Sequence, residues 1–209
     1  MSKKRVLITG GAGFVGRVLA EMLTECQYTV RIVDDLSNPQ SRAPAVGELI
    51  VGDIADTEVA KTAFANVDYC IALASRRGSI GFVDRNPTDI LTGNTAIYNA
   101  SFQAAVDADV RRFVYVSSSM VFEAASVYPT PETHINDTGI PVSHFGMAKI
   151  LGEHYCRSFA KEQGLKYTII RPSNVYGPEE KPGDKPGDSH VIPDLFKKFY
   201  DGGSQIEVF

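Results

Sequence analysis

The stretch that most constrains this chain is Arg5-Val6-Leu7-Ile8-Thr9-Gly10-Gly11-Ala12-Gly13-Phe14-Val15-Gly16, an apolar run that breaks into glycines and resumes at helical spacing through Val15, Val18, Leu19, Met22 and Leu23. Gly10 permits a tight turn off a strand, Gly13 leaves room for backbone to approach a pyrophosphate, and Gly16 lets the new helix pack closely. The helix N-terminus then offers unpaired N–H groups and a partial positive charge to phosphates. A second strand, Thr29-Val30-Arg31-Ile32-Val33, ends in Asp34-Asp35 and completes a βαβ unit. A carboxylate at the tip of that strand, Asp34, can accept hydrogen bonds from both hydroxyls of an adenosine ribose and repels a 2′-phosphate, which favours NAD over NADP.

With 209 residues, 44% of them hydrophobic and 22% charged, the chain can bury one sizeable core. A net charge of −4 without a run of like charge argues against nucleic acid or an anionic membrane as partner. No signal-peptide pattern follows Met1, and no apolar stretch nears the ~20 residues a spanning helix needs, so a cytoplasmic location is expected. Cys26, Cys70 and Cys156 lie far apart without metal-type spacing and read as buried small hydrophobes; no metal site is expected.

Further strand-like runs are 48–51, 68–73, 112–117 and 167–171, with helical patterns over 57–64, 87–108 and 147–163 between them. Alternation of this kind implies an α/β fold, a Rossmann-type doubly wound parallel sheet covered on both faces. Ligands bind beyond the carboxyl ends of such strands, so the segments after Val51, Leu73, Val116 and Arg171 should surround one site. From Gly177 to Asp188 the chain is a polar, proline-rich loop, a substrate lid or a linker. A short helix (193–200) and a strand-like segment (206–209) follow. The expected division is a cofactor-binding domain over 1–176 and the start of a small, incomplete substrate-binding part over 177–209.

The chain resembles the extended short-chain dehydrogenase/reductases, specifically the NAD-dependent nucleotide-sugar epimerases and dehydratases. The resemblance rests on Thr9 to Gly16, Val51-Gly52-Asp53-Ile54, Asn94, Val116-Ser117-Ser118-Ser119, Gly146-Met147-Ala148-Lys149 and Arg171-Pro172-Ser173-Asn174-Val175-Tyr176-Gly177-Pro178, six motifs in the family's order. It implies NAD as cofactor, held by Gly10, Gly13, Phe14, Val15, Gly16, Asp34 and Asp35, with Asp53 and Ile54 flanking the adenine. It further implies that Leu73, Ala74 and Ser75 run along the cofactor, that Asn94 supports the site, that Lys149 holds the nicotinamide ribose, and that Pro172 and Val175 contact the nicotinamide end. Ser118 would hydrogen-bond the reacting sugar hydroxyl, Ser119 and Met120 would line the substrate, and Asn174 would face the diphosphate of a nucleotide-diphosphate sugar. A homodimer through the long helices 87–108 and 147–163 is implied as well.

Taken alone, Ser117-Ser118-Ser119 can simply end a strand, and Lys149 can be one exposed helical lysine. His190 and His144 read as surface residues, and Arg76 and Arg77, with the loop 78–81, as solvated or as bordering the sugar.

The chain departs from the family's Tyr-x-x-x-Lys motif at Phe145. That tyrosine's phenol takes the proton from a sugar hydroxyl as hydride leaves the carbon, with the lysine cation lowering its pKa. Phe145 fills nearly the same volume but moves no proton, so slow turnover is expected. A deliberate replacement and a natural variant with a different base both remain open. Ser119-Met120 stand where the dehydratases carry an Asp-Glu pair, which leaves 4-epimerisation through transient hydride transfer to tightly bound NAD as the favoured activity. A dehydratase and a non-catalytic NAD-binding module are the alternatives.

Overall fold

The computed structural model describes residues 3–38, 40–76, 83, 85–178, 180, 182 and 191–202. The strand-like 206–209, His190, Arg77 and the loop 78–81 lie outside the described residues. The strands are β1 (Arg5–Thr9), β2 (Thr29–Asp34), β3 (Glu48–Val51), β4 (Tyr69–Ala72), β5 (Arg112–Val116) and β6 (Tyr167–Ile170), and the helices α1 (Phe14–Glu25), α2 (Thr57–Phe64), α3 (Pro87–Asp107), α4 (His144–Gln163) and α5 (Val191–Tyr200). All strand pairs are parallel, in the order β3-β2-β1-β4-β5-β6. The order reverses between β1 and β4, where α/β sheets open a crevice at their carboxyl edge. Thr9 sits level with Val33 of β2 and Ala72 of β4, so three strand ends reach that crevice together.

Helices cover both faces, as expected of a doubly wound sheet. Leu19, Ala20 and Leu23 of α1 pack over Ile8, Val30 and Ile32 on one face. The larger core lies on the other, where α2, α3 and α4 bury Phe64, Phe102, Phe113, Tyr98 and Tyr115. Phe102 and Phe113 meet at 4.5 Å between ring centroids, a favourable aromatic separation.

The element ends follow local chemistry. Asp56 accepts the Glu58 and Val59 N–H groups and starts α2. Ser143 accepts the Gly146 N–H at 3.0 Å, so α4 begins at His144, a turn earlier than the apolar spacing from Met147 indicates. Gly164, at φ 73°, ends α4 in the left-handed conformation that glycine adopts without strain. Among the described residues α5 covers Val191–Tyr200, two residues more than the sequence pattern from Pro193 indicates. Two short 3₁₀ turns, Ser119–Phe122 and Glu132–Asn136, carry too few residues to leave a periodic signal.

One expectation about the cysteines is corrected. Cys70 and Cys156 are fully buried, and burial pushes both thiols well above their ordinary value. Cys26 is exposed, because it caps the C-terminus of α1 in the short turn that leads into β2.

Candidate active site

The crevice starts at the glycine loop. Gly10 has φ 67°, and a Cβ there would lie 2.8 Å from the Ala74 nitrogen, so β1 and β4 approach this closely only around a bare backbone. A Cβ on Gly16 would collide with the Gly11 backbone, which fixes the first turn of α1 against the loop. Gly13 caps α1 without a side chain, leaving the first-turn N–H groups clear of any side-chain cap. Phe14 and Val15 are partly buried beside it, and the Phe14 ring lies 3.2 Å from where a Cβ on Gly177 would stand. The loop after β6 thus comes back onto the start of α1.

Asp34 is 8% exposed at the end of β2. Its Oδ2 accepts the Ala12 N–H at 3.0 Å and its Oδ1 the Leu36 N–H at 2.9 Å, which fixes the carboxylate between the glycine loop and the turn after β2. Each carboxylate oxygen keeps a second lone pair for a ribose hydroxyl. A side-chain-free helix start, glycines where a Cβ has no room and a fixed carboxylate at the next strand end form a donor and acceptor set that fits a dinucleotide.

Along β3 and β4 the remaining residues line the same edge. Ile54 is buried, and Asp53 accepts the Ala55 N–H at 2.9 Å. The Leu73 N–H donates to the Thr9 carbonyl at 3.1 Å, and the Ala74 N–H to Thr9 Oγ1 at 3.1 Å. Asn94, fully buried in α3, accepts the Ser75 hydroxyl at 2.9 Å and the Arg76 N–H at 3.1 Å, so its support is delivered to the segment after β4. Arg76 is not merely solvated: it pairs with Asp53 at 3.2 Å and with Asp35 at 3.5 Å.

The other end of the crevice is built from β5, α4 and β6. Lys149 is 6% exposed, and its Nζ donates to the Val116 carbonyl at 2.9 Å. The ammonium lies 5.4 Å from the Phe145 ring centroid and 5.6 Å from that of Tyr115, both within cation–π reach. Lys149 is therefore a buried, oriented cation rather than an exposed helical lysine. Two residues beyond Val116, Ser118 caps the following 3₁₀ turn by accepting the Met120 N–H at 3.2 Å, which leaves its hydroxyl hydrogen to be donated. A Cβ on Gly146 would stand 2.8 Å from the Met120 carbonyl oxygen and 2.7 Å from Pro141 Cβ, so this glycine brings the start of α4, with Phe145, against the Ser118–Met120 turn.

Ser119 N–H donates to the Pro172 carbonyl at 2.9 Å, extending the β5–β6 pairing past the strand ends. Ser119, Asn174 and Val175 are exposed at this edge, and His144 is exposed as well. Between the segment after β6 and α5 lies a cleft of about 610 Å³ lined by Tyr176, Pro178, Ile192, Phe196 and Tyr200 among others.

The phenol nearest to Lys149 does not replace the missing one. Tyr115 is 2% exposed, and its hydroxyl donates to Tyr98 at 2.9 Å, which donates on to the Ala148 carbonyl at 3.1 Å. Burial pushes the Tyr115 phenol far above its ordinary value, so it stays protonated and in the core.

A group that the sequence motifs do not single out organises this end. Glu153, one helical turn after Lys149, is fully buried. It accepts the Ser117 hydroxyl at 2.8 Å and both arms of Arg171 at 2.7 and 2.8 Å, while Arg157 adds a contact at 3.2 Å. Burial by itself raises the Glu153 pKa, but the hydrogen bonds from Arg171 and Ser117 and the charges of Arg171 and Arg157 outweigh it, holding the carboxyl below its ordinary value. Glu153 thereby locks together β5, α4 and the end of β6. The available signal was its four-residue offset from Lys149, which puts both on one face of α4.

The model of the NAD dependent epimerase/dehydratase family matches residues 6–209. GDP-L-fucose synthase of Escherichia coli (strain K12) is 29% identical over 210 residues, covering 98% of this chain and 60% of the relative. UDP-glucose 4-epimerase of Azospirillum brasilense is 30% identical over 178 residues, covering 83% and 49%. The crystal structure of a UDP-glucose 4-epimerase from Thermotoga maritima with UDP-glucose superposes with a TM-score of 0.83 at 31% identity, covering 93% of this chain and 62% of that one. The chain thus spans roughly half to three fifths of the length of the relatives it matches.

Proposed function

The chain belongs to the NAD-dependent epimerase/dehydratase family, whose cofactor is NAD, and from that premise we propose that it is a nucleotide-sugar epimerase acting at sugar C4, with turnover held low by Phe145. The observation that carries the reading is the buried Lys149 ammonium, set 5.4 Å over the Phe145 ring beside the Ser118 turn. A catalytic phenol in this family needs a cation at its oxygen, and that cation is retained although the oxygen is gone.

Bound NAD supplies the hydride acceptor and, after the keto-sugar turns over, the hydride donor. Gly10 to Gly16 and Asp34 hold the adenosine and pyrophosphate, and Pro172 and Val175 border the nicotinamide end. Ser118 donates its hydroxyl hydrogen to the reacting sugar oxygen and orients it. As hydride leaves the carbon the sugar hydroxyl loses its proton to solvent water, since position 145 carries no phenol to take it, and the Lys149 cation stabilises the negative charge that develops on the oxygen. Asn174 and the cleft beside α5, with its aromatic walls Phe196 and Tyr200, suit the diphosphate and base of a UDP- or GDP-sugar.

On this reading residues 1–176 are the cofactor-binding body and the substrate-binding part begins at 177. The enzyme is cytoplasmic and pairs with a second copy through α3 and α4, where the exposed Met147 and Leu151 line up at four-residue spacing on the outer side of α4. Ser119-Met120, in place of an acidic pair, disfavour the dehydratase alternative. Calorimetric titration of the NAD-loaded protein with UDP-, GDP- and dTDP-sugars, followed by turnover of the tightest binder by the Phe145→Tyr variant, tests the proposal. Binding of one sugar nucleotide with conversion only in the variant supports it; NAD binding without affinity for any sugar nucleotide favours a cofactor-binding module instead.

A further inference from the structure

We infer that Arg76 is a cofactor-binding residue that closes the adenosine end of the dinucleotide site. This rests on the NAD-dependent reading above. Arg76 stands four residues past the end of β4, and its backbone is fixed on both sides by one buried side chain: its N–H donates to Asn94 Oδ1 at 3.1 Å, and its carbonyl accepts from Asn94 Nδ2 at 2.9 Å. Asn94 has no freedom to do otherwise, since its amide also donates to the Ile90 carbonyl at 2.7 Å.

The side chain then leaves across Gly93. A Cβ on that glycine would lie 2.5 Å from Arg76 Cγ, so the missing methyl is the seat in which the arginine stem runs. Beyond that seat the guanidinium reaches past the end of β1 to Asp53 after β3, at 3.2 Å, and Asp35 after β2, at 3.5 Å. Asp35 is itself oriented by the Ser37 N–H and hydroxyl at 3.0 and 2.7 Å. A planar cation is thus tethered at its backbone, its stem and its head, directly over the strand ends that carry Asp34, Asp35 and Asp53.

Stability does not account for this arrangement. The Arg76 side chain is 36% exposed and its partners 32% and 42%, and pairs so open to water contribute little. The charge pattern points to a ligand instead. Asp35 and Asp53 put two carboxylates beside the strand ends where the adenosine of a dinucleotide would lie, and Arg76 neutralises them while offering a flat guanidinium face to a purine. Asp53 and Asp35 keep the plane from turning away.

The test compares wild type with Arg76→Ala and Arg76→Lys by calorimetry, using NAD, ADP-ribose and nicotinamide mononucleotide as probes, with a ligand-free thermal melt of each protein. The expected result is about a tenfold loss of affinity for both NAD and ADP-ribose in Arg76→Ala, a smaller loss in Arg76→Lys, and no change toward nicotinamide mononucleotide. Unchanged or tighter NAD binding by Arg76→Ala overturns the inference while leaving the cofactor assignment intact. Equal losses for all three probes overturn it too, because the effect then does not belong to the adenosine end. Wild-type protein that binds no NAD overturns the cofactor reading itself. Should Arg76→Ala melt far below wild type, Arg76→Lys alone decides, by the same contrast between ADP-ribose and nicotinamide mononucleotide.

Discussion

The two ends of the crevice are built on different principles. At the adenosine end the working parts are backbone: Gly10 and Gly16 where side chains have no room, N–H groups at the start of α1, and an Asp34 carboxylate locked by two main-chain donors. At the catalytic end the working parts are side chains held by other side chains: Lys149 under Phe145, and Ser117, Glu153 and Arg171 tied into one buried cluster. Binding spread over many backbone groups survives the loss of any one side chain. On the proposed mechanism proton transfer rests on one phenolic oxygen, which phenylalanine lacks.

The sharpest way to break that comparison is to restore the oxygen. Phe145→Tyr is expected to raise turnover of the bound sugar nucleotide by about 10²- to 10⁴-fold while leaving NAD affinity unchanged. A steady-state assay beside an NAD titration checks both halves, and an altered NAD affinity would mean that the two ends are coupled.

Next in size is the cluster behind Lys149. Arg171→Ala leaves Glu153 buried without its bidentate partner, and a loss of about 3–5 kcal/mol is expected in urea unfolding at neutral pH. Because the folded carboxyl of Glu153 lies below its ordinary value of 4.5, its contribution is fully present above that pH and disappears as the pH falls through the folded value. The gap between wild type and Arg171→Ala should therefore narrow in acid. A gap that stays constant down to strongly acid pH would show that the Glu153 charge is not its source.

At the adenosine end, Gly16→Ala drives a Cβ into the Gly11 backbone, and a loss of about 1–3 kcal/mol of stability is expected together with loss of NAD binding. Retained NAD affinity would show that the loop yields. The smallest effect sharpens the comparison as a control. Asp56→Ala removes the cap of α2, outside both ends, at a cost of about 1 kcal/mol, and should change neither NAD affinity nor turnover. Thermal melting and the same titration read it out.

Much of this was legible in the residues because it is local. The glycine loop carries its own geometry, the apolar runs of 5–9, 29–34 and 112–116 announce strands, and Ser118 and Lys149 are marked by the motifs of the family that the chain resembles. What escaped is what depends on distant partners. Arg76 looked like one of two loop arginines until Gly93 and Asn94, seventeen and eighteen positions on, proved to seat it. Cys26 shared an apolar pattern with the buried cysteines, yet sits where a helix end meets solvent. The start of α4 moved to His144 because a serine cap, not the apolar stripe, decides where a helix begins.

The sequence by itself determined the βαβ dinucleotide loop, the parallel class of the sheet and the loss of the phenol at position 145. The first follows from the absent side chain of glycine, the second from the alternation of strand and helix patterns, and the third from the absent oxygen of phenylalanine where the family motif has tyrosine. Only the tertiary structure decided that Lys149 is buried against Phe145, that the Tyr115 hydroxyl is spent in the core, and that Glu153 and Arg76 are each tied to partners distant in the sequence. A charge acquires its function from what surrounds it, and those surroundings are assembled from strands and helices far apart in the chain.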